Sequence, residues 1–141
     1  MSRTRVLLSD DHPFVRRGLR TILESTDEYE VCAEAGDGDQ TLDLAARLAP
    51  DVLILDISMP APNGLEVAAR LRESLPETKI LLITMHDSEE MLRAAAEAGV
   101  SGYLLKSDAE QLLIDALQSV QEGRLFVSPA FDSTLVQQLF K

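Results

Sequence analysis

The sequence predicts an α/β fold, a central parallel sheet of five strands with helices on both faces. Three observations lead there. Short runs rich in Val, Ile and Leu alternate with helical patterns five times. The runs Arg5–Ser9, Asp51–Asp56 and Lys79–Thr84 have continuous apolar interiors, as strands buried on both faces require. The links between elements are short, and 141 residues suit one domain with a self-sufficient core.

Each element carries its own signals. Arg5–Ser9 is the first strand, and Pro13 fits the opening position of the first helix, with His12 before it. That helix places Val15, Leu19, Ile22 and Leu23 on one face. Val31–Ala35 is more alternating, as an edge strand is. The second helix is expected from about Asp39 to Ala49, ending before Pro50 because the residue before proline disfavours the α region. Asp51–Asp56 is the third strand. Asn63 with Glu66 reads as the cap pair of a third helix that ends before Pro76. Lys79–Thr84 follows as the fourth strand, then a helix opened by Asp87 with Glu90 and closed by Gly99. Gly102–Leu105 is the fifth strand. Ser107-x-x-Glu110 reads as a capping box for the fifth helix, with Ala109, Leu112, Leu113, Ala116, Leu117 and Val120 at helical spacing and Gly123 as its stop. Past Gly123, Ser128 and Pro129 suit the start of a sixth helix, with Phe131, Leu135, Val136, Leu139 and Phe140 as its apolar stripe.

Composition narrows the function. The net charge is −11, which argues against nucleic-acid binding by this stretch, because phosphate contacts need clusters of Lys and Arg. Arg3, Arg5, Arg16, Arg17 and Arg20 gather near the start and read as a solvated helix face, with a docking patch for an acidic partner as the alternative. Cys32 is the only cysteine and reads as a small packing residue. No stretch has signal-peptide character or 18 uninterrupted apolar residues, so a soluble, cytoplasmic protein without membrane contact is expected.

The chemistry sits at the strand ends. Asp10-Asp11, Asp56, Thr84 and Lys106 each fall where a predicted strand stops. In a parallel sheet those ends share one edge, and ligands bind beyond it at the topological switch point. Carboxylates there repel, by roughly 4 kcal/mol for a pair about 4 Å apart near a surface, so the cluster implies a bound cation. Few carboxylates with room for water and a phosphoryl oxygen is a Mg2+ pattern rather than a calcium cage. Aspartate is also a nucleophile that forms acyl phosphates when aligned and charge-compensated. Lys106 can meet a phosphoryl oxygen as a point charge, and the Thr84 hydroxyl another. Taken singly, each residue has a plain structural role: helix-start acids, a turn former, a strand threonine, a surface lysine.

The runs Val6-Leu-Leu-Ser-Asp10-Asp11-His-Pro, Leu53-Ile-Leu-Asp56-Ile-Ser-Met-Pro60, Leu82-Ile-Thr84-Met and Tyr103-Leu-Leu-Lys106 resemble the receiver domain of two-component response regulators, over about residues 4–122. Thr84-Met-His-Asp87 with Gly99-x-x-Gly-Tyr-Leu-Leu-Lys106 is further similar to the NarL/FixJ subfamily, which carries a LuxR-type output. The resemblance implies a flavodoxin-like (βα)5 receiver fold with strand order 2-1-3-4-5. It implies that Asp56 is the phospho-acceptor, served by a sensor histidine kinase. Asp11 and Asp56, with Asp10 through water and the backbone carbonyl of Ser58, would hold Mg2+. Lys106 and Thr84 would bind the phosphoryl group, and Tyr103 would report the change by its rotamer. Met85 and His86, next to Thr84, are candidate modulators of water access. Met85 stands where many receivers have a small residue, and Ser107 where many have a proline. The expected arrangement is a receiver at residues 1–123 and a linker or extra helix at 124–141, with a DNA-binding output domain outside this chain. Phosphorylation is expected to change homodimerisation. Two rivals are a receiver-like interaction module that is never phosphorylated and an aspartate-nucleophile phosphatase. A nucleotide-binding fold lacks support, since neither a P-loop nor G-x-G-x-x-G is present.

Overall fold

A computed structural model describes residues 3–140. The elements are β1 (Thr4–Ser9), α1 (Pro13–Glu24), β2 (Tyr29–Ala35), α2 (Gly38–Leu48), β3 (Val52–Asp56), α3 (Gly64–Ser74), β4 (Lys79–Thr84), α4 (Glu89–Ala98), β5 (Gly102–Leu105), α5 (Ala109–Gln121), β6 (Phe126–Val127) and α6 (Ser133–Leu139). All strands pair in parallel, in the order β2-β1-β3-β4-β5-β6. The first five stand in the expected order, with β2 at an edge. The sixth extends the sheet: Phe126 pairs with Gly102 and Val127 with Tyr103. Two residues have no period to read, so this strand left no signal in the sequence.

The pleat sends successive strand residues to opposite faces. Leu7, Leu53, Leu55 and Leu82 pack with Ala45 of α2, Val67 and Leu71 of α3 and Leu92 of α4. Val6, Leu8, Ile54, Leu81 and Ile83 pack with Leu19 and Leu23 of α1 and Leu113 and Leu117 of α5. Each fully buried Leu or Ile contributes about 1.5–3 kcal/mol, so the sheet's two faces hold the body together. Cys32 is half-buried on β2, as a packing residue, with its Sγ 3.4 Å from the carbonyl of Val6.

Several helix starts differ from expectation. The Asn63–Glu66 capping box forms in both directions, each bond 3.0 Å. Pro13 opens α1 as expected. The second helix begins earlier, because Asp37 caps it by accepting from the Gln40 N–H at 2.8 Å. Ser88, not Asp87 with Glu90, caps α4 by accepting from the Met91 N–H. The Ser107–Glu110 capping box is absent: residues Lys106–Asp108 wind as a 3-10 turn straight off β5, and α5 starts at Ala109. From that turn Lys106 stands beside the acids, 3.0 Å from Asp10. The peptide bond after Lys106 is trans, and among the described residues the cis bond is Ala61–Pro62.

The C-terminal helix also starts later than Ser128. That residue is buried and bonded into the sheet: its N–H donates to the Tyr103 carbonyl at 2.9 Å, and its Oγ accepts from the Leu105 N–H at 2.8 Å. With Ser128 so engaged, Asp132 supplies the cap of α6, accepting from Thr134 and Leu135. The expected stripe of Phe131, Leu135, Val136, Leu139 and Phe140 does pack, half-buried, on the cluster that contains Leu92 and Tyr103.

Candidate functional site

The carboxyl ends of β1, β3, β4 and β5 meet at one edge, and the four sequence-predicted residue positions meet with them. Asp10 follows β1 directly. Its N–H donates to the Ala35 carbonyl of β2 at 3.1 Å, and its Oδ1 accepts from the His12 N–H at 2.8 Å, so the turn into α1 is closed on both sides. Asp56 is the last residue of β3. The loop behind it is anchored by buried Ile57 and Met59, and Gly64 starts α3 against it. A Cβ on Gly64 would stand 2.3 Å from the Asp56 carbonyl oxygen, so only glycine lets the helix approach this closely.

Asp10 and Asp56 are buried, at 0% and 1% exposure. The Lys106 ammonium stands 3.0 Å from Asp10 Oδ2 and 3.5 Å from Asp56 Oδ1. One donor atom each from Asp10, Asp11, His12 and Asp56 lies within 4.8 Å of the others. Four buried carboxylate oxygens (Asp10 Oδ2, Asp11 Oδ1 and both of Asp56) have no well-aligned hydrogen-bond partner; Lys106, His12 and, for Asp56, the Ser58 N–H approach them in poor alignment. Buried polar groups normally find partners, so this orphaned set calls for a ligand. Its hard oxygen donors fit a divalent cation of the Mg2+ type. Burial pushes the Asp56 carboxyl above its ordinary range and Asp10 pushes it further, while Lys106 and the Ser58 N–H oppose both.

On the other side of the edge, Thr84 is buried at the end of β4. Its Oγ1 accepts from the His86 N–H at 3.1 Å, while the Tyr103 hydroxyl donates to the His86 carbonyl at 2.7 Å. The backbone of one residue thus joins the two. Burial, with Asp87 nearby, pushes the Tyr103 phenol up to about 12, so it stays a donor. The His86 ring reaches across to Ser58, Nε2 to Oγ at 3.2 Å, at the surface. Met85 is 80% exposed beside it.

Three residues make contacts at the site that the sequence reading does not give. His12 reads from the sequence as a residue that shapes the helix start, yet its Nδ1 sits 3.2 Å from Asp10 Oδ1 and 3.0 Å from Asp11 Oδ1. Phe131 packs edge-on against Tyr103, ring centres 5.4 Å apart. Arg16, read as part of a solvated face, donates from Nη1 to the Asp10 carbonyl at 2.5 Å. Only the first had a signal, its place next to two aspartates; the others depend on long-range packing.

The family model of the response regulator receiver domain matches residues 6–118. The chain is 35% identical over 139 residues to YxjL of Bacillus subtilis, an uncharacterised transcriptional regulatory protein, covering 99% of this chain and 64% of that one. It is 39% identical over 135 residues to the oxygen regulatory protein NreC of Staphylococcus epidermidis, covering 95% and 62%. The chain therefore spans less than two thirds of the length of these relatives. Among solved structures, a LuxR-family two-component response regulator from an Aurantimonas species superposes with a TM-score of 0.87 at 34% identity, covering 99% of this chain and 96% of that one.

Proposed function

The chain belongs to the receiver domain family of two-component response regulators, and on that premise we propose that Asp56 accepts a phosphoryl group from a phosphohistidine of a sensor histidine kinase. The observation that carries this is the Asp56 carboxylate itself: buried beside the Asp10 carboxylate, with an ammonium 3.5 Å away and only the Ser58 N–H to offset its charge otherwise. One Asp56 oxygen attacks phosphorus, the P–N bond of the donor breaks, and the histidine leaves with the electron pair. Asp11, Asp56 and the Ser58 carbonyl, with Asp10 through water, are the groups that would hold Mg2+. When bound, that ion neutralises charge building on the phosphoryl oxygens. Lys106 turns from the carboxylates toward a phosphoryl oxygen. Thr84 offers its hydroxyl to another, giving up the His86 N–H it now accepts. Losing that bond frees the loop that Tyr103 holds from its other end, which is how one new charge biases a two-state element. Met85 and His86 flank the opening and set how water reaches the acyl phosphate.

The domain acts as a phospho-acceptor switch rather than a multiple-turnover enzyme. Its output is a change in self-association that drives a DNA-binding domain carried elsewhere in the full protein, for transcription control in the cytoplasm. Among the described residues no helix is long and apolar enough to cross a membrane. The α4–β5 side already carries α6, whereas the α1–α5 side is open and bears Phe14 at 84% exposure, which favours that side for pairing with a second copy. Incubation with acetyl phosphate and Mg2+ tests the reading by intact mass. Wild type should gain one phosphoryl group, and Asp56→Asn, or wild type without Mg2+, none. An unmodified wild type would instead favour a constitutive interaction module, and continuous phosphate release from small phosphoesters a phosphatase.

A further inference from the structure

We propose that Arg16 is a positioning residue that sets the divalent-cation affinity of the acidic edge by fixing the turn between β1 and α1. This rests on the reading of that edge as a Mg2+ site. Arg16 is largely buried for an arginine, its side chain 19% exposed. Its guanidinium points two ways at once. Nη1 donates to the Asp10 carbonyl at 2.5 Å, and Nε donates to Glu34 Oε1 at 3.0 Å. The carbonyl it grips belongs to the rigid peptide unit joining Asp10 to Asp11, so holding that plane sets how both carboxylates leave the backbone. The preceding peptide unit is held separately, by the Asp10 N–H on the Ala35 carbonyl. Glu34 precedes Ala35 on β2, so both grips trace back to the same two residues of the edge strand. Glu34 in turn is steadied by Arg20, whose Nε donates to its other oxygen at 2.8 Å.

Two effects of Arg16 oppose each other, and their sign separates them. As a charge, it repels a divalent cation, so its removal should tighten binding. As a clamp, it preorganises the ligands, so its removal should loosen binding; groups that orient metal ligands typically change affinity 10–100-fold. The Glu34 carboxylate pairs with the guanidinium and blunts the first effect. Geometry decides for the second. A lysine carries one ammonium on a flexible stem and cannot reproduce a planar fork that serves two acceptors in different directions.

The test is calorimetric titration of the unphosphorylated chain with Mg2+ alone, alongside thermal melts without metal. Arg16→Ala should bind about tenfold more weakly. Arg16→Lys, which keeps the charge, should stay weak as well. Arg20→Ala removes the same charge from the Glu34 carboxylate but no contact to Asp10, and should bind within about twofold of wild type. Unchanged or tighter binding by Arg16→Ala, or full recovery by Arg16→Lys, overturns the proposal. If Arg16→Ala does not melt cooperatively, Arg16→Lys carries the same test. Absence of Mg2+ binding by wild type, matching an Asp11→Asn control, overturns the cation site itself and this inference with it.

Discussion

The acidic edge and the C-terminal segment are built on the same strand, β5, and are held in opposite ways. At the edge, β5 delivers Lys106 into a pocket where four buried carboxylate oxygens lack well-aligned hydrogen-bond partners. Just before Lys106, Ser128 instead satisfies β5 at two points, its N–H on the Tyr103 carbonyl and its Oγ accepting from the Leu105 N–H, while Phe131 covers the Tyr103 ring. Polar groups in the segment stabilise the fold; polar groups at the edge strain it. A site meant to take a charged ligand must keep its polar atoms unsatisfied until the ligand arrives, and the surrounding contacts offset that cost.

The comparison breaks most readily at the segment. Phe131→Ala removes a ring half-buried against Tyr103 and should lower stability by about 2 kcal/mol, at the low end for an aromatic truncation because the ring is only partly buried. Ser128→Ala leaves the Leu105 N–H buried without an acceptor and should cost about 1–2 kcal/mol. Both are read by urea denaturation of the unphosphorylated chain. If neither changes the midpoint, the segment is not part of the folded body. Because Phe131 covers Tyr103, the same variants should alter how the segment responds to a beryllofluoride mimic of the phosphoryl group.

At the edge the sign should invert. Asp56→Asn removes a buried charge next to Asp10 and should raise stability by about 1 kcal/mol, a melting-temperature gain of about 2–4 °C. A loss of that size would mean that Lys106 satisfies Asp56 more fully than its geometry indicates.

The smallest effects are in pH, where the two carboxylates Asp56 and Glu34 should move in opposite directions. Burial, then Asp10, raises the Asp56 carboxyl above 3.8 in the folded protein. Folding therefore favours its protonated form. Its destabilising effect is full above the raised value and fades as pH falls through that value toward 3.8, so the gain from Asp56→Asn should shrink on acidification. Burial alone would raise Glu34, but hydrogen bonds from Arg20 and Arg16 outweigh it and hold the carboxyl below 4.5. Its contribution is full above 4.5 and lost as pH falls through the lowered value, so the cost of Glu34→Gln should vanish in acid. Denaturation midpoints at neutral pH and below pH 4 check both signs.

Legibility followed the range of the interaction. The first five strands and the residues at their ends are readable because hydrophobic runs and local caps report on neighbours a few positions away, the Asn63–Glu66 box among them, whereas the strand order came with the family resemblance and β6 left no trace. The Ser107–Glu110 box is equally plausible locally and does not form, because the chain leaves β5 directly into a 3-10 turn over Lys106–Asp108. Ser128 looked like a helix cap until the N–H of Leu105, 23 residues back, proved to need its hydroxyl. Arg16 and Arg20 looked like a solvated face until Glu34, 18 and 14 residues on, was brought against them.

By itself the amino-acid order determined which side chains crowd the carboxyl edge, since every strand of a parallel sheet ends there and periodicity marks each end. Only the tertiary structure decided what each of them touches: that Lys106 divides itself between Asp10 and Asp56, that His86 joins Thr84 to Tyr103, and that Arg16 grips the turn between the paired aspartates. Those partners are chosen by strand register and loop path, which set atomic distances across the fold and leave no repeating trace along the chain.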